Sequence, residues 1–218
     1  MSDELWAALQ RWHDGDVAAG SEVIDEVFPR MARFFRNKVT RVPDDDDLTQ
    51  KTMLALARAR PRSPRGSFWG LVYGIANNVL REYVRDKHKR VREQADFATV
   101  CTHDLDRRSV SSVAVRSREL RAFVEGLRRL PVADQVLLEL RYFEGLGARE
   151  IAEVLDMPQG SVHRKVQSGV ERLRTIVAEQ LDATGAGSGQ AGAEATEAEP
   201  PSAQALQAWA KAVRDRLG

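Results

Sequence analysis

Apolar residues recur every three or four positions through two long blocks of this chain, and in the first of them strands find almost no support, which makes α-helices its building material. In the first block Leu5, Leu9 and Trp12 share one helix face, and Val23, Val27, Met31, Phe34 and Phe35 share another. Leu48, Met53, Leu54 and Leu56 mark a third helix. Its start signal is Asp47 followed by Gln50 at capping-box spacing, with the preceding aspartates favouring the positive helix end. Pro61, Pro64 and Gly66 then break the chain, and SFWGLVYGIANNVLREYVRDKHKR runs apolar first and basic last. The period is lost over 91–115 and returns over 116–180, interrupted at Pro131, at Gly145 and Gly147, and at Met157-Pro158-Gln159-Gly160. That punctuation predicts four short helices, the last two joined by a turn short enough for a helix-turn-helix. Residues 181–202 are rich in Ala, Gly, Ser, Glu and Pro, carry Asp182, Glu194, Glu197 and Glu199 without a basic residue, and read as a flexible linker. In 203–218, Leu206, Trp209, Val213 and Leu217 fall on one face of a short amphipathic helix that calls for a partner; a frayed tail is the alternative. The expectation is an all-α fold: two small helical domains, 1–90 and 116–180, joined by a flexible linker at 91–115, with a C-terminal extension.

Composition narrows the function classes. Hydrophobic residues make up 43% of the 218, enough for a core, and aromatics at 6% make that core mainly aliphatic. A single cysteine, Cys101, excludes an internal disulfide and a cysteine-rich zinc site. No run approaches the roughly 18 apolar residues of a membrane span, and the N-terminal residues are acidic and amphipathic where a signal peptide is basic and then apolar. No membrane insertion and a cytoplasmic location are therefore expected. His13, His88, His103 and His163 lie in separate segments, without a nucleophile or carboxylate at a motif spacing. The four aspartates 44–47, adjacent in sequence, cannot all turn toward one ion. No catalytic residue, metal or cofactor is expected, and the chain is not expected to be an enzyme.

The net charge of +1, from 33 basic and 32 acidic side chains, conceals an uneven distribution. On the last helix of the second block Val162, Val166, Val170, Leu173 and Val177 form an apolar stripe. The remaining surface near its start carries Ser161, His163, Arg164, Lys165, Gln167 and Ser168, groups able to reach base edges in a major groove. A merely solvated face would show similar charge, but the short helix and tight turn before it favour DNA. The first block ends on Arg85, Lys87, Lys89, Arg90 and Arg92, directly after Phe68, Trp69, Tyr73 and Tyr83. Aromatic rings beside cations suit single-stranded nucleic acid, although rings at helical spacing equally suit a core. Asn77 and Asn78 interrupt an apolar stretch, where asparagine is costly unless it has polar work to do.

These residues resemble a known family. FPRMARFFRNKV, DDDDLTQKTMLALARA and GSFWGLVYGIANNVLREYVRDKHKR look like region 2 of a bacterial RNA polymerase sigma factor of the sigma-70 family. LRRLPVADQVLLELRYFEGLGAREIAEVLDMPQGSVHRKVQSGVERLR looks like region 4. The resemblance covers about residues 20–90 and 120–176 and, with only a short linker between them, matches the extracytoplasmic-function (ECF) type. It implies a dissociable subunit that binds core RNA polymerase, recognises promoter DNA and opens it for transcription initiation. It implies polymerase contacts at Asp47, Leu48, Gln50 and Met53, and single-stranded −10 contacts at Asn78, Arg81, Arg85 and Lys87. Duplex −35 readout falls to His163, Arg164, Gln167 and Ser168, while Ser161 and Lys165 position phosphates. An anti-sigma protein is a further candidate partner. The chain departs from the family pattern at Lys51, usually Glu, at Leu71, usually Trp, and at Gly147, commonly Ser or Thr. The alternative function is a stand-alone helix-turn-helix transcriptional regulator that binds duplex DNA without polymerase.

Overall fold

The structure, a computed structural model, describes residues 2–36, 38–39, 42–59, 67–89 and 118–185. Among them are eight α-helices and one π-helical segment, with no extended strand, in agreement with the expected all-α class. Helices α1 (Ser2–His13), α2 (Val17–Arg36), α3 (Val42–Arg58) and α4 (Phe68–Lys89) pack in succession, and α1 also returns onto α4. Beyond them α5 (Arg118–Arg129), α6 (Val132–Leu138), the π-helical segment Glu139–Phe143, and α7 (Ala148–Leu155) gather around the long α8 (Gln159–Gly185). The segments expected as linkers at 91–115 and from 186 onward, and the amphipathic 203–218, lie outside the described residues.

Local chemistry sets the helix ends. Gly15, at φ +102°, takes the left-handed conformation that closes α1, and Asp16 then caps α2 by accepting the Ala19 N–H at 3.1 Å. Ser67 does the same for α4, accepting the Gly70 N–H at 2.9 Å. Pro29 lies within α2, on its exposed side, where water can replace the hydrogen bond that proline cannot donate. Helix α3 begins at Val42, ahead of the expected Asp47. Pro43 is tolerated in a first turn and Asp44 and Asp45 favour it, so Asp47 is a second-turn residue, not a cap. Helix α8 likewise continues to Gly185, past the boundary expected at 180.

The first four helices bury Val23, Val27, Met31, Phe34 and Phe35 of α2 against Leu9, Leu48, Leu56, Phe68, Tyr73 and Leu80. Trp6 meets Phe68 edge-on at 6.1 Å. Around α8 the expected stripe of Val162, Val166, Val170, Leu173 and Val177 is buried together with Leu130, Leu137, Leu140 and Ile151. Two helical glycines differ in what a side chain would meet. At Gly126 a Cβ would lie 2.8 Å from Val177 Cγ2 and 3.1 Å from Leu173 Cδ1, both in the core, whereas at Gly74 nothing lies within 4 Å. Gly74→Ala is expected to stabilise the chain by up to about 1 kcal/mol through helix propensity. Gly126→Ala is expected to destabilise it, because overpacking costs about 1–3 kcal/mol and outweighs the same gain. Urea midpoints of the two variants, moving in opposite directions, check the contrast.

The two groups of helices touch through α4 and α7 and through a buried charged cluster. Lys38, just beyond α2, is fully buried and pairs with Glu139 at the start of the π-helical segment. Its ammonium also donates to the Phe34 carbonyl at 2.9 Å and sits 3.6 Å from the centre of the Phe34 ring. Arg33 pairs with Glu144 at 3.0 Å. In an α-helix residues five apart point about 140° away from each other. Across the π-helical turn, closed by the Glu144 N–H on the Glu139 carbonyl at 3.0 Å, both carboxylates instead meet cations from the end of α2. Burial pulls Lys38 below the usual lysine range and lifts Glu139 above the carboxylate range, each effect opposed by the partner's charge. The Tyr73 hydroxyl is pushed well above its ordinary value, first by burial and then by the nearby carboxylates.

Candidate nucleic-acid interface

One exposed polar surface is built by α7, a tight turn and α8. Gly147 opens α7 with extended backbone, and its N–H donates to the Glu150 carboxylate at 2.7 Å, the half of a capping box that glycine permits. Asp156, at φ 53°, closes the helix in the left-handed region, and Pro158 stands immediately before α8. The valine stripe faces inward, so His163, Arg164, Lys165 and Gln167 project to solvent within the first turns of α8, with Ser161 and Ser168 half-buried beside them. Among the described residues neither Arg164 nor Lys165 has an ion-pair partner, leaving both cations for an external anion.

A second surface lies on α4. Asn78, Arg81 and Arg85 are exposed and, at steps of three and four, share a face. Lys87 is not with them. Nine residues beyond Asn78 it lies about half a turn around the helix, where it pairs with Asp44 at 3.1 Å and covers the Tyr83 ring at 4.5 Å. The Tyr83 hydroxyl donates to the same Asp44 at 2.8 Å. The acidic run thus anchors the basic end of α4 to α3. Asn77 is fully buried, and its amide donates to the Val154 carbonyl of α7 at 3.2 Å, while Arg81 donates to the Leu155 carbonyl at 3.3 Å. Of the aromatic residues, Phe68 and Tyr73 are core, and Trp69 stacks under the Arg30 guanidinium at 4.1 Å.

On α3 the expected contact residues separate. Asp47 and Gln50 are exposed and Met53 is half-buried, but Leu48 is only 2% exposed and packs in the core along the line of Thr52 and Leu56. Leu54 is the apolar residue that faces outward, 55% exposed, one heptad from Asp47 and on the same side as Gln50. Its spacing from Asp47 was the available signal. Lys51 completes this face, paired with Asp47 at 2.7 Å, which raises its pKa chiefly through the hydrogen bond. Among the described residues no helix is long and apolar enough to cross a membrane.

Comparison with known proteins places this geometry. A family described as "ECF sigma factor" matches residues 3–182. The ECF RNA polymerase sigma factor ShbA of Streptomyces griseus is 27% identical over 184 residues, covering 79% of this chain and 94% of that protein. The ECF RNA polymerase sigma-E factor of Haemophilus influenzae is 26% identical over 187 residues, covering 81% and 98%. The solved structure of the sigma factor RpoE in complex with the anti-sigma factor NepR, from Bartonella quintana, shares the fold, with a TM-score of 0.55 at 19% identity over 72% of this chain and 95% of that one.

Proposed function

The chain belongs to the ECF sigma factor family, and from that premise we propose how its exposed faces divide the work. As a sigma factor it binds core RNA polymerase and directs it to promoters for transcription initiation. The division into residues 1–90 for polymerase and −10 DNA and 116–180 for −35 DNA follows the two groups of helices. His163, Arg164, Gln167 and Ser168 read bases of the duplex −35 element, while Ser161 and Lys165 hold phosphates. The observation that carries this reading is the outward projection of His163, Arg164, Lys165 and Gln167 directly behind the turn from α7, with Arg164 and Lys165 outside any ion pair among the described residues. Asn78, with Arg81 and Arg85 on the same face, takes the unstacked −10 strand, the base finding in a pocket what extrusion costs it. Lys87 supports that face through Asp44 and Tyr83. On α3 the polymerase contact runs through Asp47, Gln50, Met53 and Leu54, Leu48 holding the helix from behind. The role is regulatory rather than catalytic, places the protein in the cytoplasm, and leaves an anti-sigma protein as a candidate partner.

Transcription with purified core polymerase over a promoter library tests the assignment. Transcripts with discrete start sites are expected only when both chain and core are present. Sequence-specific binding of duplex DNA by the chain alone, with no core-dependent transcript, would establish a stand-alone regulator instead. Asn78→Ala is expected to reduce permanganate reactivity of the melted −10 region while core affinity stays at the parent value. Full reactivity in that variant would remove Asn78 from the site.

A further inference from the structure

One apolar stripe on the first group of helices is left uncovered. On α2 Val17, Ile24 and Phe28 are 79%, 39% and 42% exposed, and with the exposed Ser21 they follow one another at steps of four, three and four along one side of the helix. Apolar residues scattered singly over a surface are ordinary, but these share one stripe, whereas the similarly exposed Leu54 belongs to α3. The setting of the stripe is acidic. Asp14, Asp16, Glu22, Asp25 and Glu26 are all exposed, and no basic residue stands between positions 14 and 28. Arg11 reaches Asp16 and Glu22 from α1, and Arg30 reaches Glu26. Asp25, flanking the stripe between Ile24 and Phe28, has no ion-pair partner among the described residues.

The chemistry of this face selects its occupant. A nucleic-acid backbone would meet like charge there, and a second copy of the chain offering the same face would set its carboxylates against these. An apolar ridge edged with cations fits instead. Residues 203–218, outside the described residues, carry such a ridge in their sequence: at helical spacing Leu206, Trp209, Val213 and Leu217 form one stripe, Arg214 and Arg216 fall to either side of it, and Asp215 falls on the far side. A helix this short is marginal alone in water, so its stripe needs an apolar face to fold against. The distance can be bridged. Helix α8 ends at Gly185, and residues 186–202 span up to roughly 55 Å when extended, more than the roughly 40 Å width of a compact body of this size.

We propose that residues 203–218 dock as a helix on the Val17, Ile24 and Phe28 face of α2, with Trp209 and Val213 covering the apolar stripe and the arginines meeting Asp25 and the carboxylates around it. Surface and occupant then belong to the same chain. The docking is independent of the contacts assigned to DNA and polymerase, which use α3, α4 and α8. The tether sets an effective concentration in the millimolar range, so a contact with an intermolecular Kd of about 0.1 mM is occupied about ten to one within the chain. A contact too weak to capture a separate peptide at ordinary concentrations therefore still covers the face.

The test places one thiol in the middle of the stripe, Ser21→Cys in the full chain with Cys101→Ser, and measures its alkylation by iodoacetamide. Alkylation is expected to be about tenfold slower in this chain than in one that also carries Trp209→Ser and Val213→Ser, the ratio set by the occupancy above. Asp25→Lys, an exposed substitution, is expected to bring the rate close to that of the Trp209→Ser, Val213→Ser chain. Amide exchange of 203–218 is read alongside: protection above the unfolded rate is expected in the parent, and its loss in Val17→Asp, which alters an exposed residue outside the core. Equal alkylation with and without the Trp209 and Val213 substitutions overturns the docking, as does exchange of 203–218 at the unfolded rate in the parent. Slow alkylation that follows protein concentration and ignores those substitutions overturns it in favour of an interface between copies. Slow alkylation that appears only when core polymerase is added overturns it in favour of a polymerase contact. An Asp25→Lys rate that stays at the parent value overturns the charge-matched docking.

Discussion

Phe34→Ala is expected to lower the unfolding free energy by about 3–5 kcal/mol, the range for removing a buried phenyl ring. Phe34 is 1% exposed, meets the Phe35 ring edge-on at 5.2 Å and the Tyr73 ring at 5.7 Å, and lies beneath the Lys38 ammonium at 3.6 Å. Truncation leaves a cavity beside rings held by α2 and α4, and it also strips the quadrupole from under a fully buried cation. Phe34→Leu refills much of the volume without restoring that seat, so its cost should fall between parent and alanine. Urea unfolding of the full chain, read as a shift in midpoint at constant slope, measures both. A loss below about 1 kcal/mol for the alanine variant would mean that the neighbouring rings collapse into the space.

The second large effect belongs to α8. Arg164→Ala is expected to reduce discrimination among −35 sequences by about 1–3 kcal/mol, roughly 5- to 150-fold, at the base pair it reads. Lys165→Ala is expected to weaken holoenzyme binding to all sequences alike and to lower the log–log salt slope by about 0.9. Binding over a series of −35 variants at several salt concentrations separates the two. Uniform weakening by Arg164→Ala together with a lost preference in Lys165→Ala would exchange their roles.

Periodicity made the helices and the inward face of α8 legible, because a valine every third or fourth residue admits one burial pattern. The polar face opposite followed from the same geometry. Asn77 and Asn78 stood out in an apolar stretch, and the structure gives Asn77 polar work, its bond to the Val154 carbonyl. Single positions within a stripe were harder: Leu48 and Leu54 are six residues apart on one helix, yet one is core and the other exposed. Which leucine turns inward depends on where α2 and α4 lie, a tertiary fact that no local spacing contains. The start of α3 was misplaced because several aspartates in a row offer several caps, and Pro43 moves the start upstream. Least legible of all were Lys38 and Glu139. Each is a charged residue in an ordinary amphipathic context, and its burial is explained only by the other, 101 positions away.

Helix α8 runs unbroken from Gln159 to Gly185 and spans roughly 40 Å at 1.5 Å per residue. Its first turns carry the residues proposed to read DNA, and its far half is gripped by α5, where Gly126 lets the two backbones approach. Packing on α5 along one half and on α6 and α7 along the rest fixes how the rod is aimed. A tilt of about 10° at the α5 grip, about ten residues and roughly 15 Å from Arg164 and Gln167, would sweep those positions through roughly 2–3 Å, less than one base-pair step. The aim of the proposed reading face is therefore set in part by the far half of the helix, where Gly126 admits the close contact with α5.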